Sequence, residues 1–217
     1  MTSKIVIAIA KGRIQEEAVP LLRSAGIFPE ESFFDENTRQ LQFSCKDSNI
    51  SIIRVRSFDV PTFVAFGGAH LGIAGSDVLM EFDYGDIYTP LNLDIGHCRL
   101  SVATAFNSEY IDLARVSHIR VATKYPRLTS DYFAGKGIQA ECIKLSGAME
   151  LAPALGLSPY IVDLVSSGKT LAANDLKEVE KIMDVSSRLI VNRTAFKTKT
   201  SEISELIENF RKAVEYD

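Results

Sequence analysis

The sequence predicts an α/β fold, because short apolar runs of strand length alternate with stretches of helical periodicity. Residues 4–10 form a largely apolar run that leads directly into a charged loop. Near the other end, apolar residues recur at helical spacing between charged residues from Ile203 to Val214. Alternation of this kind is typical of layered sheets and helices.

The further elements follow from the same patterns. Pro61 suits a first helical turn, Thr129 and Ser201 are expected N-caps, and residues 197–200 are expected to be a linker. Strands are predicted over residues 49–55, 71–74, 99–104, 119–123, 140–144 and 160–165. Helices are predicted over residues 15–25, 61–66 and 131–134, and from Ser201 onward.

Composition restricts the possible functions. The chain has 217 residues, 46% of them apolar, and a formal net charge of −4. This charge gives no overall attraction to nucleic acid or to an anionic membrane, so an anion site requires a local cluster of cations. The three cysteines have no zinc or disulfide spacing and no targeting signal is apparent, so we expect a reducing, cytoplasmic location.

One strand and loop indicate a phosphate site. Residues 161–165 form an apolar strand that contains Asp163, and Ser166, Ser167, Gly168 and Thr170 follow in a turn that opens a helix. Backbone N–H groups and hydroxyls at such a turn can bind phosphate, and the acid could bind sugar hydroxyls. A turn that merely joins the strand to the helix is the structural alternative.

A nucleoside-triphosphatase P-loop is excluded as an explanation of this turn. Gly168, Lys169 and Thr170 match the end of that motif, but the motif requires a glycine five positions earlier, where this chain has Asp163.

Cations follow the first strand. Lys11, Gly12 and Arg13 come directly after the apolar run, at the carboxyl end of a strand, where open α/β sheets bind ligands. Lys11 and Arg13 could contact phosphate oxygens there, although a solvated basic turn would have the same sequence.

A longer stretch resembles a known family. Residues 146–153 match a Gly-x-x-Glu-x-Ala-Pro element, and residues 156–174 continue in register with the phosphoribosyl-diphosphate (PRPP) signature of ATP phosphoribosyltransferases. The Lys-Gly-Arg loop and the blocks at 53–61 and 71–79 resemble further parts of that family. The resemblance covers most of residues 4–196, with one departure, since His70 stands where the family usually has an acid. We interpret His70 as a surface or capping residue.

The resemblance implies a fold and a reaction. The fold would be the two-lobed, type II fold of periplasmic binding proteins with two crossovers between lobes: residues 1–90 plus 185–217 in one lobe and 91–184 in the other. The enzyme would transfer the phosphoribosyl group of PRPP to N1 of the adenine of ATP, releasing diphosphate, in the first step of histidine biosynthesis. Mg²⁺ would bind mainly through substrate phosphates, with no dedicated protein ligands.

The resemblance also assigns residues. Arg54 and Arg56 could equally be structural, because an Arg-x-Arg pair in a strand faces one side. The expected PRPP ligands are Glu150, Asp163, Ser166, Ser167, Gly168, Lys169 and Thr170. The expected catalytic cations at the leaving group are Lys11, Arg13 and Arg39. The expected ATP contacts are Gly12, Arg54, Arg56, Gly75 and Asp77.

The chain length resembles the short form of the family. Short-form subunits work with a regulatory subunit related to histidyl-tRNA synthetase, and the resemblance therefore implies homodimers within a hetero-octamer. Two other functions stay open at this point. A solute-binding protein could share the fold without catalysing a reaction, and another phosphoribosyltransferase could use a different acceptor.

Overall fold

The computed structural model describes residues 4–46, 49–108 and 116–215. The chain forms two compact units, of which one runs up to Gly96 and resumes at Ser186, and the other spans His97–Val185. The chain therefore passes twice from one unit to the other. No helix in the described part of the chain is long and apolar enough to cross a membrane.

The first unit is built on a six-stranded sheet in the order β2-β3-β1-β4-β11-β5. β1 pairs in parallel with β3 and β4, whereas β2, β5 and β11 pair antiparallel with their neighbours. The strands are β1 (Ile5–Ala10), β2 (Gln42–Ser44), β3 (Ile50–Val55), β4 (Leu71–Gly75), β5 (Ile87–Asn92) and β11 (Ser187–Asn192).

Helices cover both faces of this sheet, which explains why β1 and β4 are apolar on both sides. Ile7 and Ile9 face the apolar cluster that contains residues of α1 and α8, and Ala8 and Ala10 face the cluster that contains Val60 of α2. The helices are α1 (Arg13–Ser24), α2 (Val60–Ala65), α3 (Ser76–Phe82), α7 (Arg193–Thr198) and α8 (Thr200–Glu215).

The second unit has a five-stranded sheet in the order β10-β6-β9-β7-β8. β9 pairs in parallel with β7 and antiparallel with β6. The strands are β6 (Cys98–Ala105), β7 (His118–Thr123), β8 (Gln139–Lys144), β9 (Tyr160–Val165) and β10 (Leu176–Val185). The helices are α4 (Pro126–Ala134), α5 (Leu151–Ala154) and α6 (Lys169–Ala173).

The structure corrects two predicted helix starts. α4 begins at Pro126, and Thr129 lies inside it, fully buried, where its hydroxyl donates to Oγ1 of Thr123 at 3.2 Å. The predicted linker over residues 197–200 is reduced to Lys199, because α7 continues to Thr198 and α8 begins at Thr200, one residue before the expected N-cap Ser201.

The two chain crossings lie side by side in the first unit. The Ser187 N–H donates to the carbonyl oxygen of Ile95 at 2.8 Å, and the Leu93 N–H donates to the carbonyl oxygen of Ser187 at 3.0 Å. Gly96 has a φ of +71°, and a Cβ there would lie 2.6 Å from Oγ of Ser187. A side chain at Gly96 would therefore disturb both crossings.

His70 joins two strands of the first unit. Its Nδ1 accepts a hydrogen bond from the Val6 N–H at 3.0 Å, and its own N–H donates to the carbonyl oxygen of Val6 at 2.8 Å. Nδ1 is therefore unprotonated. Burial, reinforced by the positive charge of Lys199, lowers the pKa of His70 below its ordinary value of 6.5.

This pKa predicts a pH-dependent stability. The unfolded chain binds a proton at His70 more readily than the folded chain. The contribution of neutral His70 to the free energy of unfolding is therefore complete above about pH 6.5, and it is lost as the pH falls through the lowered pKa. His70→Asn keeps a neutral acceptor for Val6 and should flatten the dependence of unfolding free energy on pH below about pH 6.5. Urea denaturation at a series of pH values measures this. The exposed His118 provides the control His118→Asn, and a slope unchanged by His70→Asn would contradict the assignment.

Candidate functional site

Cations collect at the carboxyl edge of the first unit's parallel strands. Lys11 follows β1 and Arg56 follows β3, and both side chains are exposed. The Lys11 N–H donates to the carbonyl oxygen of Val55 at 3.1 Å, which joins the two strand ends. β4 pairs with the other side of β1, so Gly75 ends at the same edge. Three predicted positions therefore lie along one edge of the sheet.

The Lys-Gly-Arg loop turns sharply into a helix. Gly12 has a φ of +95°, a conformation that favours glycine, and it is the N-cap of α1. Arg13 is exposed, and its Nε lies 3.0 Å from Oε1 of Glu17. The other carboxylate oxygen of Glu17 accepts the Gly96 N–H at 2.6 Å. Arg13 thus lies at the site edge but shares its charge with a carboxylate.

Arg39 lies at the same end of the sheet. It is exposed, and it precedes β2, which runs antiparallel to β3. The start of an antiparallel strand lies beside the end of its partner, which places the segment around Arg39 near Arg56. Among the described residues Arg39 makes no ion pair, so its charge is available to a ligand.

The buried position of Arg54 fits the structural alternative. It is only 4% exposed, and its guanidinium lies 4.8 Å from the centre of the Phe43 ring. It donates to the carbonyl oxygens of Thr38 and Gln40 at 3.4 and 3.3 Å. The side chain is therefore directed into the protein, where it holds the segment that carries Arg39. The expected contact of Arg54 with ATP stays a prediction.

Asp77 is also turned inward. It lies in the first turn of α3 and is 3% exposed. A Cβ on Gly75 would lie 2.1 Å from Oδ1 of Asp77, so glycine is required there to leave room for the carboxylate. Gly75 and Asp77 therefore pack closely in the turn between β4 and α3. The expected contact of Asp77 with ATP stays a prediction.

In the second unit the predicted phosphate loop follows β9. Gly168 has a φ of +76° and is the N-cap of the short helix α6, which begins at Lys169. Ser166, Ser167, Lys169 and Thr170 are exposed. The loop therefore presents hydroxyls, backbone N–H groups and one cation to solvent.

Asp163 lies directly before this loop. Alternate strand residues share a face, so Asp163 lies on the same face as Ile161 and Val165, which belong to the apolar cluster of this unit. It is half-buried, and Oδ1 accepts the Leu164 N–H at 2.8 Å.

Glu150 is placed by the same apolar cluster. It is the half-buried N-cap of α5, whose Ala152 packs in the cluster together with Leu171 of α6. Both helices thus pack on the face of the sheet that carries Asp163. The structure places the predicted PRPP residues on one face of the second unit.

The sequence analysis missed a polar network beside this loop. Arg99 binds both carboxylate oxygens of Glu178, with Nε to Oε1 at 2.7 Å and a terminal nitrogen to Oε2 at 2.5 Å. Arg99 also donates to the carbonyl oxygen of Ser166 at 3.1 Å, and the Ser101 hydroxyl donates to Glu178 at 2.8 Å. The hydrogen bond from Arg99 lowers the pKa of Glu178. The sequence signal that could have indicated this network is the presence of an arginine and a serine at alternate positions of an otherwise apolar strand.

No group of three or more His, Cys, Asp or Glu side chains within the described ranges is arranged to hold a metal ion. The predicted residues lie in two sets. The first unit contains Lys11, Gly12, Arg13, Arg39, Arg54, Arg56, Gly75 and Asp77. The second unit contains Glu150, Asp163, Ser166, Ser167, Gly168, Lys169 and Thr170.

The Gly75 geometry yields a prediction. Gly75→Ala should lower the free energy of unfolding by about 1–3 kcal/mol, because the new methyl group collides with the buried carboxylate of Asp77. Gly85→Ala is the matched control, since nothing lies within 4 Å of a Cβ there. Chemical denaturation of both variants measures the difference. Equal stability of the two would show that the Asp77 carboxylate is not held against Gly75.

Comparison with known proteins identifies the family of this chain. The family model described as HisG: ATP phosphoribosyltransferase matches residues 56–212. The ATP phosphoribosyltransferase of Rhodospirillum rubrum is 63% identical over 97% of this chain and 93% of its own length. That of Paramagnetospirillum magneticum is 62% identical over 97% of this chain and 96% of its own length.

Solved structures show the same fold. A chain of the ATP phosphoribosyl transferase (HisG:HisZ) complex from Thermotoga maritima matches with a TM-score of 0.81 and 30% identity, over 98% of this chain and 100% of that chain. The periplasmic aliphatic sulphonate binding protein SsuA from Escherichia coli matches with a TM-score of 0.59 at 14% identity, over 99% of this chain and 69% of that chain, which concerns the fold alone. The predicted type II periplasmic-binding-protein-like fold is confirmed. The chain belongs to the HisG family of ATP phosphoribosyltransferases.

Proposed function

We propose that this chain transfers the phosphoribosyl group of PRPP to N1 of the adenine of ATP, the committing step of L-histidine biosynthesis. The main support for this proposal is that the chain is 63% identical to an ATP phosphoribosyltransferase over 97% of its length. The reaction breaks the bond between C1 of the ribose and the diphosphate, and forms a bond from C1 to N1 of adenine with inversion.

The second unit is the proposed PRPP site. The exposed loop Ser166–Thr170 would bind the 5-phosphate through its backbone N–H groups, its hydroxyls and Lys169. Asp163 and Glu150 would bind the ribose hydroxyls, since both are half-buried carboxylates on the face that α5 and α6 cover. Their sequence neighbours Met149 and Ala152, and Ile161 and Val165, pack in the apolar cluster, which would hold the two carboxylates in place relative to the loop.

The first unit supplies the proposed cations for the leaving group and for ATP. Negative charge grows on the diphosphate as the bond to C1 breaks, and positive charge grows on the ribose. Lys11, Arg39 and Arg56 are exposed at one edge of the sheet, and Arg13 adds a cation that Glu17 partly balances. Electrostatic stabilisation by these side chains favours departure of the diphosphate.

No general base is required by this chemistry. N1 of adenine carries no proton that must leave before it attacks, so the chain needs to hold N1 close to C1 and in line with the leaving group. Positioning of two bound substrates is a large contribution to such reactions. Gly12 would allow the backbone at the sheet edge to approach a nucleotide closely, because it is exposed and has no side chain.

Mg²⁺ is the proposed cofactor. It would be held mainly by the phosphate oxygens of the substrates, because Mg²⁺ prefers oxygen ligands. Asp163 and Glu150, the two carboxylates of the proposed ribose site, would lie next to such an ion. The ion would supply charge neutralisation at the diphosphate.

We further propose that the chain is a short-form catalytic subunit with a regulatory partner. The chain spans 93% and 96% of the length of two relatives, and a matching solved chain belongs to a HisG:HisZ complex. The partner would be a subunit related to histidyl-tRNA synthetase, in a hetero-octamer that contains homodimers of this chain, in the cytoplasm.

The competing functions have less support. Membership of the HisG family argues against a non-catalytic solute receptor. The match to SsuA, at 14% identity, concerns the fold alone. A phosphoribosyltransferase with another acceptor would share the loop at 166–170, but the matched family is named for ATP.

Asp163 tests the proposed PRPP site. Asp163→Asn should raise the Kd for PRPP by roughly 10- to 100-fold, the size expected for hydrogen bonds to a charged group, and leave ATP binding within about twofold. Calorimetry measures both constants. Asp131→Asn is the control, because Asp131 is an exposed carboxylate on α4 of the same unit. Equal losses of PRPP and ATP affinity would argue against the assignment.

L-Histidine tests the short-form assignment. The chain without a partner should catalyse the transfer at an unchanged rate when micromolar L-histidine is added, because regulation would reside in the other subunit. Rate measurements with increasing L-histidine check this. Inhibition of the isolated chain would contradict the short form, while leaving the transferase activity itself unaffected.

A further inference from the structure

We propose that Arg99 positions the phosphate loop of the second unit by fixing one peptide group, and does not itself bind phosphate. The inference rests on the proposed function, in which residues 166–170 bind the 5-phosphate of PRPP. The observation behind it is the hydrogen bond from Arg99 to the carbonyl oxygen of Ser166 at 3.1 Å.

Strand register places Arg99 beside the loop. β6 and β9 are antiparallel, with Arg99 opposite Val165 and Ser101 opposite Asp163. Because opposite residues share a face, Arg99, Ser101 and Asp163 all lie on the face that α5 and α6 cover. Arg99 therefore lies next to the last residue of β9 and reaches one residue further, to Ser166.

A carboxylate holds Arg99 in this orientation. Glu178, on the neighbouring strand β10, accepts two hydrogen bonds from the guanidinium and a third from the Ser101 hydroxyl. A bidentate arginine and carboxylate pair has a fixed planar geometry. The remaining terminal nitrogen of Arg99 points at the Ser166 carbonyl oxygen, and the charge of Arg99 is balanced by Glu178.

The hydrogen bond from Arg99 to Ser166 also fixes the direction of the next N–H group. In a planar trans peptide, the carbonyl oxygen of one residue and the N–H of the next point in opposite directions. When the Ser166 carbonyl oxygen is directed to Arg99, the Ser167 N–H is directed away from it, to the other side of the loop. A donor that is already oriented loses less conformational freedom when a phosphate binds.

Substitution of Arg99 should therefore affect one substrate selectively. Arg99→Met should raise the Kd for PRPP by roughly 10- to 100-fold, the size expected for loss of a charge-assisted hydrogen bond that orients a donor. Ribose 5-phosphate, used as a competitor of PRPP, should weaken by the same factor because it shares the 5-phosphate. ATP affinity should change by less than about twofold.

Two further variants separate positioning from general stability. Arg120→Met is the matched control, because Arg120 forms an ion pair with Glu141 at 2.8 Å on the same sheet, with both side chains about half exposed. It should leave PRPP affinity unchanged. Arg99→Lys keeps a cation that can donate to Ser166 but lacks the planar bidentate pair, so it should recover part of the affinity that Arg99→Met loses.

Calorimetry with PRPP, ATP and ribose 5-phosphate tests the proposed role of Arg99. The melting temperature of each variant is measured alongside. PRPP affinity of Arg99→Met within twofold of the unchanged chain would overturn the inference, as would equal losses for ATP and PRPP. If Arg99→Met does not fold, Arg99→Lys decides, and unaltered PRPP affinity in that variant overturns it. An unchanged chain that neither binds PRPP nor forms product would refute the proposed function instead.

Discussion

Charge is the constraint on which this structure depends, because a chain with a net charge of −4 has to bind two polyanionic substrates. Overall attraction cannot supply the binding, so cations must be concentrated locally. The parallel strands β1 and β3 do this by ending at one edge, where the Lys11 N–H bonds to the Val55 carbonyl oxygen. Lys11 and Arg56 are thereby brought together from positions distant in sequence.

In each unit an arginine acts on the backbone that carries the site. Arg54 is buried and bonds to the carbonyl oxygens of Thr38 and Gln40, which lie on either side of Arg39. Arg99 pairs with Glu178 and bonds to the carbonyl oxygen of the first loop residue. Both bond to a segment whose residues are mostly exposed. The two guanidinium groups therefore hold backbone segments in place, whereas the side chains of Lys11, Arg39 and Arg56 are exposed.

Much of the fold could be predicted from sequence because its signals are local. β1 is a continuous apolar run, β9 is apolar except for Asp163, and α8 has a clear apolar stripe. Strands β2, β5, β10 and β11 were not predicted. β10 is partly exposed and has two register shifts that break the alternation of apolar and polar residues. The positions of the loop and of Lys11 followed from strand ends, but the inward direction of Arg54 and Asp77 depends on tertiary packing. The Arg99–Glu178 pair joins residues far apart in sequence, so local pattern could not reveal it.

The most direct measurement mixes the purified chain with PRPP, ATP and Mg²⁺ and follows the near-ultraviolet absorbance of the N1-substituted adenine, with a pyrophosphatase to remove diphosphate. The account predicts a rise that requires PRPP and that is absent when GTP replaces ATP, because N1 of guanine carries a proton and is a poor nucleophile. Binding of PRPP without any product from ATP would contradict the account.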